Sequence, residues 1–164
     1  SINSFSKYFN MTGWRLGWMV VPDALVPVVE RLAQNLFICA STVAQHAALA
    51  CFEQGSIAEY ERRRAEFKAR RDYFIPQLQA LGLDVPVQPD GAFYAWADCT
   101  RAAEKLGVQG SWDFAYELMR RAHIAITPGR DFGVADTQRF VRFSTASSMA
   151  QLQEAVARLR ALLG

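Results

Sequence analysis

Lysine is scarce in this sequence. Only Lys7, Lys68 and Lys105 occur, against fifteen arginines, so any chemistry that needs an amine has three candidates. Cysteine is equally rare: Cys39, Cys51 and Cys99 lack metal-ligand spacing, and their odd number argues against a disulfide framework. No metal site is expected, and a reducing cytoplasm fits the thiols. An excess of one charge is missing too. The 18 basic and 16 acidic residues leave a net charge of +2, which gives no case for nucleic acid or an anionic membrane as partner. No apolar run is long enough to span a bilayer, and the first residues lack the basic, apolar, small-residue order of a signal peptide.

What is present is enough for a core: 51% of the 164 residues are apolar. The pattern of elements is mixed. Residues 1–6 read as the end of a strand entering a loop, and 14–21 as a short buried strand stopped by Pro22. Asp23 is expected to cap a helix over 24–37, with Leu25, Val28, Val29, Leu32 and Leu36 at helical spacing. A small-residue helix is expected over 42–53, stopped by Gly55, and a long one from Ser56 to about Leu81, ended by Gly82. The charge run of that long helix, EYERRRAEFKARRDYF, has the look of a phosphate-binding stripe. With Glu59, Glu61, Glu66 and Asp72 interleaved, it reads instead as a solvated face.

Beyond Pro86 and Pro89 the expected order is a strand over 91–97, a helix over 111–122 capped by Ser111, strands over 124–127 and 140–145, and a closing helix capped by Ser147 or Ser148. The fold class is therefore α/β, with an α+β C-terminal part, and the split between a sheet-containing part and that smaller part is expected between Pro22 and Thr42.

One lysine differs from the other two. Lys68 belongs to the charged helix and Lys105 to a polar approach to Gly107, but Lys7 follows a strand in SFSKYFNMTGWRLGW. A lysine attacks a carbonyl only as the neutral amine, a state favoured by partial burial or a nearby cation, and Arg15 is placed to be that cation. Ser4 offers a hydroxyl, Gly13 and Gly17 allow close approach of the backbone, and Arg15 brings a planar fork suited to phosphate. The pattern is a lysine beside an anion site. Ser-x-x-Lys is also the spacing of a β-lactamase-like serine nucleophile, but the Ser-Asp-Asn and Lys-Thr-Gly partners are absent.

The whole phrase SFSKYFNMTGWRLGW resembles the lysine segment of the fold-type I, class I/II aminotransferases that use pyridoxal 5′-phosphate. ASTVAQHAALACF, GAFYAWAD, ITPGRDFG and FVRFSTASS follow in the order shown by the C-terminal part of such enzymes. The resemblance implies that Lys7 forms the Schiff base with the cofactor and moves the proton at the substrate α-carbon. It implies that Ser4 and Arg15 hold the cofactor phosphate and that Arg142 clamps the substrate α-carboxylate. It implies residues 1–41 as the end of a large cofactor-binding domain and 42–164 as interface helices and a small α+β domain. It also implies amino-acid and 2-oxo-acid substrates and a homodimer. Ser41 and Thr42 are weaker candidates for a neighbouring subunit's cofactor, with helix capping as the plain alternative. Arg130 is read as a surface arginine, His46 and His123 as structural, and Phe93, Tyr94 and Trp96 as core.

Relatives place an aspartate for the pyridine nitrogen, a tyrosine, an asparagine and a glycine-containing turn ahead of the lysine, and only six residues precede Lys7 here. The resemblance therefore predicts a C-terminal part of a longer enzyme, inactive by itself. Alternatives on the same fold are a C–S β-lyase, a cyclopropane-forming synthase and the sensor domain of an aminotransferase-like transcription regulator. A degenerate interaction module is disfavoured by the presence of the lysine and both arginines.

Overall fold

A computed structural model describes residues 1–164. Its contacts group into two units, Ser1–Arg64 and Ala65–Gly164, a division that falls inside one long helix.

The first unit begins with a two-stranded antiparallel hairpin. Strand β1 (Ile2–Ser4) pairs with β2 (Gly17–Met19), Ser4 lying opposite Gly17. Gly17 is required there, because a Cβ at this position would stand 2.7 Å from the Asn3 carbonyl oxygen. After Pro22 the chain makes a 3-10 turn over Asp23–Leu25 and enters α1 (Val26–Leu36). Asp23 does not cap α1, contrary to expectation. It starts the 3-10 turn, and the helix follows from Leu25 with no side-chain cap and Pro27 in its first turn, where a missing N–H does no harm.

Helix α2 (Thr42–Leu49) is capped by the Ser41 hydroxyl, which accepts from the Ala44 N–H. Its Ala44 and Ala48 are small enough to let the hairpin loop approach. They pack with Phe5, Met11, Leu16 and Cys51 into the core of this unit.

Helix α3 (Gln54–Ala80) starts earlier than expected, and Gly55 lies within it rather than stopping α2. The break falls at Glu53, whose extended backbone ends the 3-10 turn of Ala50–Phe52. On the α3 surface Arg62, Arg63, Arg64, Lys68, Arg70 and Arg71 each have an acidic partner on the same helix, the arrangement of a solvated face. Pro76 lies inside α3 without ending it, and Phe74, Ile75 and Leu78 around it are buried.

The second unit contains a three-stranded antiparallel sheet in the order β3 (Tyr94–Asp98), β5 (Phe140–Ser144), β4 (Thr127–Pro128). The pleat turns Ala95, Ala97, Val141 and Phe143 into a core shared with α3, α4 (Thr100–Leu106), α5 (Gly110–Glu117) and α6 (Met149–Leu163). Tyr94 and Trp96 take the opposite face, next to Arg142, so they are not core residues as expected. Helix α4 was not expected from the sequence. It is short and polar outward, buries only Ala102 and Ala103, and ends on Gly107 at φ +71°. Ser111 is not a cap either. Helix α5 begins one residue earlier, which carries Ser111 into the interior at 0% exposure with no hydrogen-bond partner for its hydroxyl. Ser148 does cap α6, in a reciprocal box with Gln151.

Candidate active site

The β1–β2 hairpin carries three of the predicted site residues, Ser4 at the end of β1 and Lys7 and Arg15 in the loop that follows. It is tied at its base by the Phe5 N–H to the Leu16 carbonyl and folded on itself by Met11 N–H to Phe5 O and Asn10 N–H to Lys7 O. Phe5, Met11 and Leu16 turn inward, and Phe9 packs against the same cluster. Rings surround the lysine in sequence and anchor its backbone. Phe5 meets Phe9 at 4.9 Å and Trp18 at 4.8 Å between centroids, and Tyr8 meets Tyr60 at 5.3 Å. The Tyr8 hydroxyl also donates to Glu61 Oε1 at 2.6 Å. That bond holds the phenol above its ordinary pKa and the Glu61 carboxyl below its own. Lys7 therefore stands exposed on a loop whose neighbours on both sides are pinned.

Ser4 ends β1, and its hydroxyl oxygen accepts from the Ser6 N–H at 3.0 Å, which leaves the hydroxyl proton to donate elsewhere. Arg15 comes just before β2 with φ +53°, a left-handed conformation that is uncommon for arginine. Its Nη1 donates to the Thr12 carbonyl at 2.9 Å, and no carboxylate pairs with it. The Thr12 hydroxyl in turn donates to Ser6 O at 2.6 Å, closing the loop across its middle.

Beside Arg15 opens a cleft of about 780 Å³, lined by Trp14, Arg15 and Gly17 on one side and by Phe37, Cys39, Ser41 and Val43 on the other. Gly13 also faces this space, with nothing within 4 Å of where a Cβ would lie. The N-terminus of α2 reaches the same cleft and adds backbone N–H groups and the positive end of a helix dipole. Ser41 spends its hydroxyl on capping α2, and Thr42 is that helix's first residue. Ser4 and Lys7 do not line this cleft.

Arg142 belongs to the second unit. It sits half-buried in β5, opposite Trp96 of β3 and Thr127 of β4. Its guanidinium carbon lies 4.2 Å from the Tyr94 ring centroid and 4.7 Å from that of Phe132, and Nη2 donates to Thr127 Oγ1 at 3.3 Å. No acid pairs with it. Arg130 packs over the Trp112 ring at 3.4 Å, and His123 takes a left-handed turn at the end of the π-helical turn Leu118–Ala122. The Cys99 thiol is pushed up to about 12 by burial, which excludes it as a nucleophile at neutral pH.

The structure thus carries Ser4, Lys7 and Arg15 on one hairpin and places Arg142 on the outer face of the second unit's sheet. The sequence reading did not identify Thr127 and Phe132, and it placed Tyr94 in the core. The strand alternation of GAFYAWA held a signal for Tyr94, since Ala95 and Ala97 claim the inner face.

A family profile described as aminotransferase class I and II matches residues 1–159. The chain belongs to that family. Among curated proteins this aminotransferase chain is 37% identical over 158 residues to the valine–pyruvate aminotransferase of Mycobacterium tuberculosis, covering 96% of this chain and 39% of that protein. It is 35% identical over 162 residues to the (5-formylfuran-3-yl)methyl phosphate transaminase of Methanocaldococcus jannaschii, covering 99% and 41% respectively. Among solved structures it superposes on an aminotransferase from Mycobacterium tuberculosis with a TM-score of 0.89 at 37% identity, and on a putative aminotransferase from Silicibacter pomeroyi with 0.87 at 44%. Those superpositions take in 99% of this chain and 41% and 42% of the two structures. The chain therefore has the fold of its family and spans about two fifths of the length of the curated relatives it matches.

Proposed function

We propose that these residues supply the amine and two anion-binding positions of a pyridoxal 5′-phosphate-dependent transamination site acting on an amino acid and a 2-oxo acid. The observation that carries the reading is the hairpin of the first unit, which carries an exposed lysine, a hydroxyl with a free proton and an arginine without a carboxylate partner, in a chain of the aminotransferase family. These donors suit the group. A phosphate monoester dianion wants several donors and a cation, and Ser4 and Arg15 offer both at the base of one hairpin. Bound there, pyridoxal phosphate supplies an electron sink for the electron pair left at the substrate α-carbon when its proton departs.

The chain's own residues have three tasks in this reading. Ser4 and Arg15 hold the phosphate. Lys7 Nζ would be the amine that holds the cofactor carbonyl and the base that takes the proton from the substrate α-carbon. Arg142 offers its in-plane N–H edge to the α-carboxylate, and a planar two-point contact sets which α-carbon bond is presented for cleavage. Residues 1–41 are assigned on this reading to a cofactor-binding domain and 42–164 to interface helices and a small domain, in a cytoplasmic homodimer.

Borohydride reduction in the presence of a small excess of pyridoxal phosphate, followed by peptide mapping, tests the assignment. The adduct is expected on Lys7 in preference to Lys68 and Lys105. Equal labelling of the three lysines in the protein active for transamination sinks it. Amino-acid turnover with 2-oxoglutarate, set against pyruvate release from a cysteine conjugate, separates transfer from β-elimination.

A further inference from the structure

We propose that Tyr94 and Phe132 are positioning residues for Arg142, an aromatic clip that holds the guanidinium without neutralising it. The proposal rests on the reading that Arg142 receives the substrate carboxylate. Two settings for arginine occur within four residues of each other. Arg139 pairs with both Asp98 and Asp136, so its charge and its donors are already engaged. Arg142 has no acid and is held by two rings, at 4.2 and 4.7 Å, with one N–H on Thr127.

The difference matters chemically. A carboxylate partner would occupy the guanidinium fork and cancel its charge, whereas a ring engages the flat face of the group through its quadrupole. Aromatic contact thus fixes the plane of Arg142 while most of its five in-plane donors remain for a ligand. Thr127 takes one of them and limits rotation about the side-chain axis.

The clip itself is supported. Phe132 closes the 3-10 turn Gly129–Phe132, and Gly129 is packed so tightly against the carbonyls of Thr137 and Phe140 that no Cβ fits there. The Phe132 ring is met edge-on by Trp96 at 5.4 Å, and Trp96 stacks on Phe140 at 5.4 Å. Tyr94 sits on β3, paired in register with β5. Both rings are therefore set by backbone that does not depend on the ligand.

The test uses the cofactor-loaded protein and whichever standard L-amino acid turns over fastest. Phe132→Leu and Tyr94→Leu are each expected to raise KM by about three- to tenfold, the range of one lost cation–π contact, with kcat changed by less than about twofold. Phe132→Tyr and Tyr94→Phe, which keep the ring, are expected to restore wild-type KM. In an Arg142→Lys background the leucine changes are expected to add little, because no planar group is left to orient. Wild-type KM in both leucine variants, with Arg142→Lys still raising it, overturns the clip. So does a KM rise that comes with a matching loss of thermal midpoint and cofactor occupancy, the mark of a merely structural role. An unchanged KM in Arg142→Lys, measured in the protein active for transamination, removes the functional reading itself and the proposal with it.

Discussion

The two units hold Arg15 and Arg142, the two arginines proposed to bind anions, by opposite means. In the first, Arg15 is placed by its own backbone: a left-handed φ, one bond to a carbonyl three residues away, and a loop closed by short-range hydrogen bonds. In the second, Arg142 is placed by neighbours that lie far off in sequence and reach it across a sheet. The cores differ in the same sense. Six buried residues support the first unit, and Val28, Leu32 and Leu36 along α1 remain exposed, whereas nineteen buried residues support the second. A site built on a thin core depends on local chain closure, and one built on a sheet depends on the whole unit staying folded.

The largest expected effects separate the two units by chemistry. Lys7→Arg keeps the charge but removes the usable amine, and turnover is expected to fall by about 10⁴-fold or more. Arg142→Lys keeps the charge but loses the fork, and kcat/KM is expected to fall by about 10²-fold. Comparable losses from both changes in single-turnover kinetics would break the distinction between chemical and orienting roles.

Stability sharpens the comparison next. Leu159→Ala, at a fully buried position of the larger core, is expected to destabilise by about 3–5 kcal/mol in denaturant unfolding. Leu16→Ala, at 9% exposure in the smaller cluster, is expected to lose about 2 kcal/mol, because neighbours in a thin core relax more readily. Equal losses would mean that the two cores are equally rigid.

Acid separates the units more gently. Burial pushes the Asp98 carboxyl up, but hydrogen bonds from Thr100 and the charge of Arg139 outweigh it, so the folded value lies below the ordinary one. A depressed carboxyl stabilises the fold above its unfolded pKa of about 4, and that contribution is lost as pH falls through the lower folded value. Asp98→Asn is expected to flatten the acid limb of the unfolding curve. Glu59 in the first unit is held at about 2 by Arg62 and Arg63, yet its ion pairs lie on the solvent-facing side of α3, where water screens them, and Glu59→Gln is expected to leave that limb nearly unchanged. A carboxyl titration followed by NMR, with unfolding measured from pH 2 to 7, checks both signs.

The smallest contrast is between two caps. Ser148→Ala removes a reciprocal box and is expected to cost about 1 kcal/mol. Ser41→Ala removes a single bond of 3.4 Å and is expected to cost less, about 0.5 kcal/mol. A larger loss at Ser41 would give α2's first turn a greater structural weight than its geometry indicates.

Legibility in the sequence follows the same division. Ser4, Lys7 and Arg15 could be read together from the sequence because one hairpin carries all three within twelve consecutive residues. The orienting partners of Arg142 could not be found in this way. Phe132 lies on a separate 3-10 turn, Thr127 reaches Arg142 through sheet pairing, and Tyr94 depended on which face of a short strand turned outward. Helix α4 was missed because two alanines give too weak a periodic signal. Ser111 and Gly55 were misread because a residue that often ends or begins a helix was swallowed by one whose start lay a residue or more earlier. The closing helix was legible because Ser148 and Gln151 form a box three residues apart ahead of a regular apolar stripe.

The left-handed backbone at Arg15 sets fitness against durability at a single position. Asparagine tolerates that conformation better, and Arg15→Asn would relieve strain of roughly 1 kcal/mol while discarding the cation. A selection for heat resistance alone would therefore accept the change and discard the proposed phosphate contact, whereas a selection for the proposed transamination would keep the strained arginine.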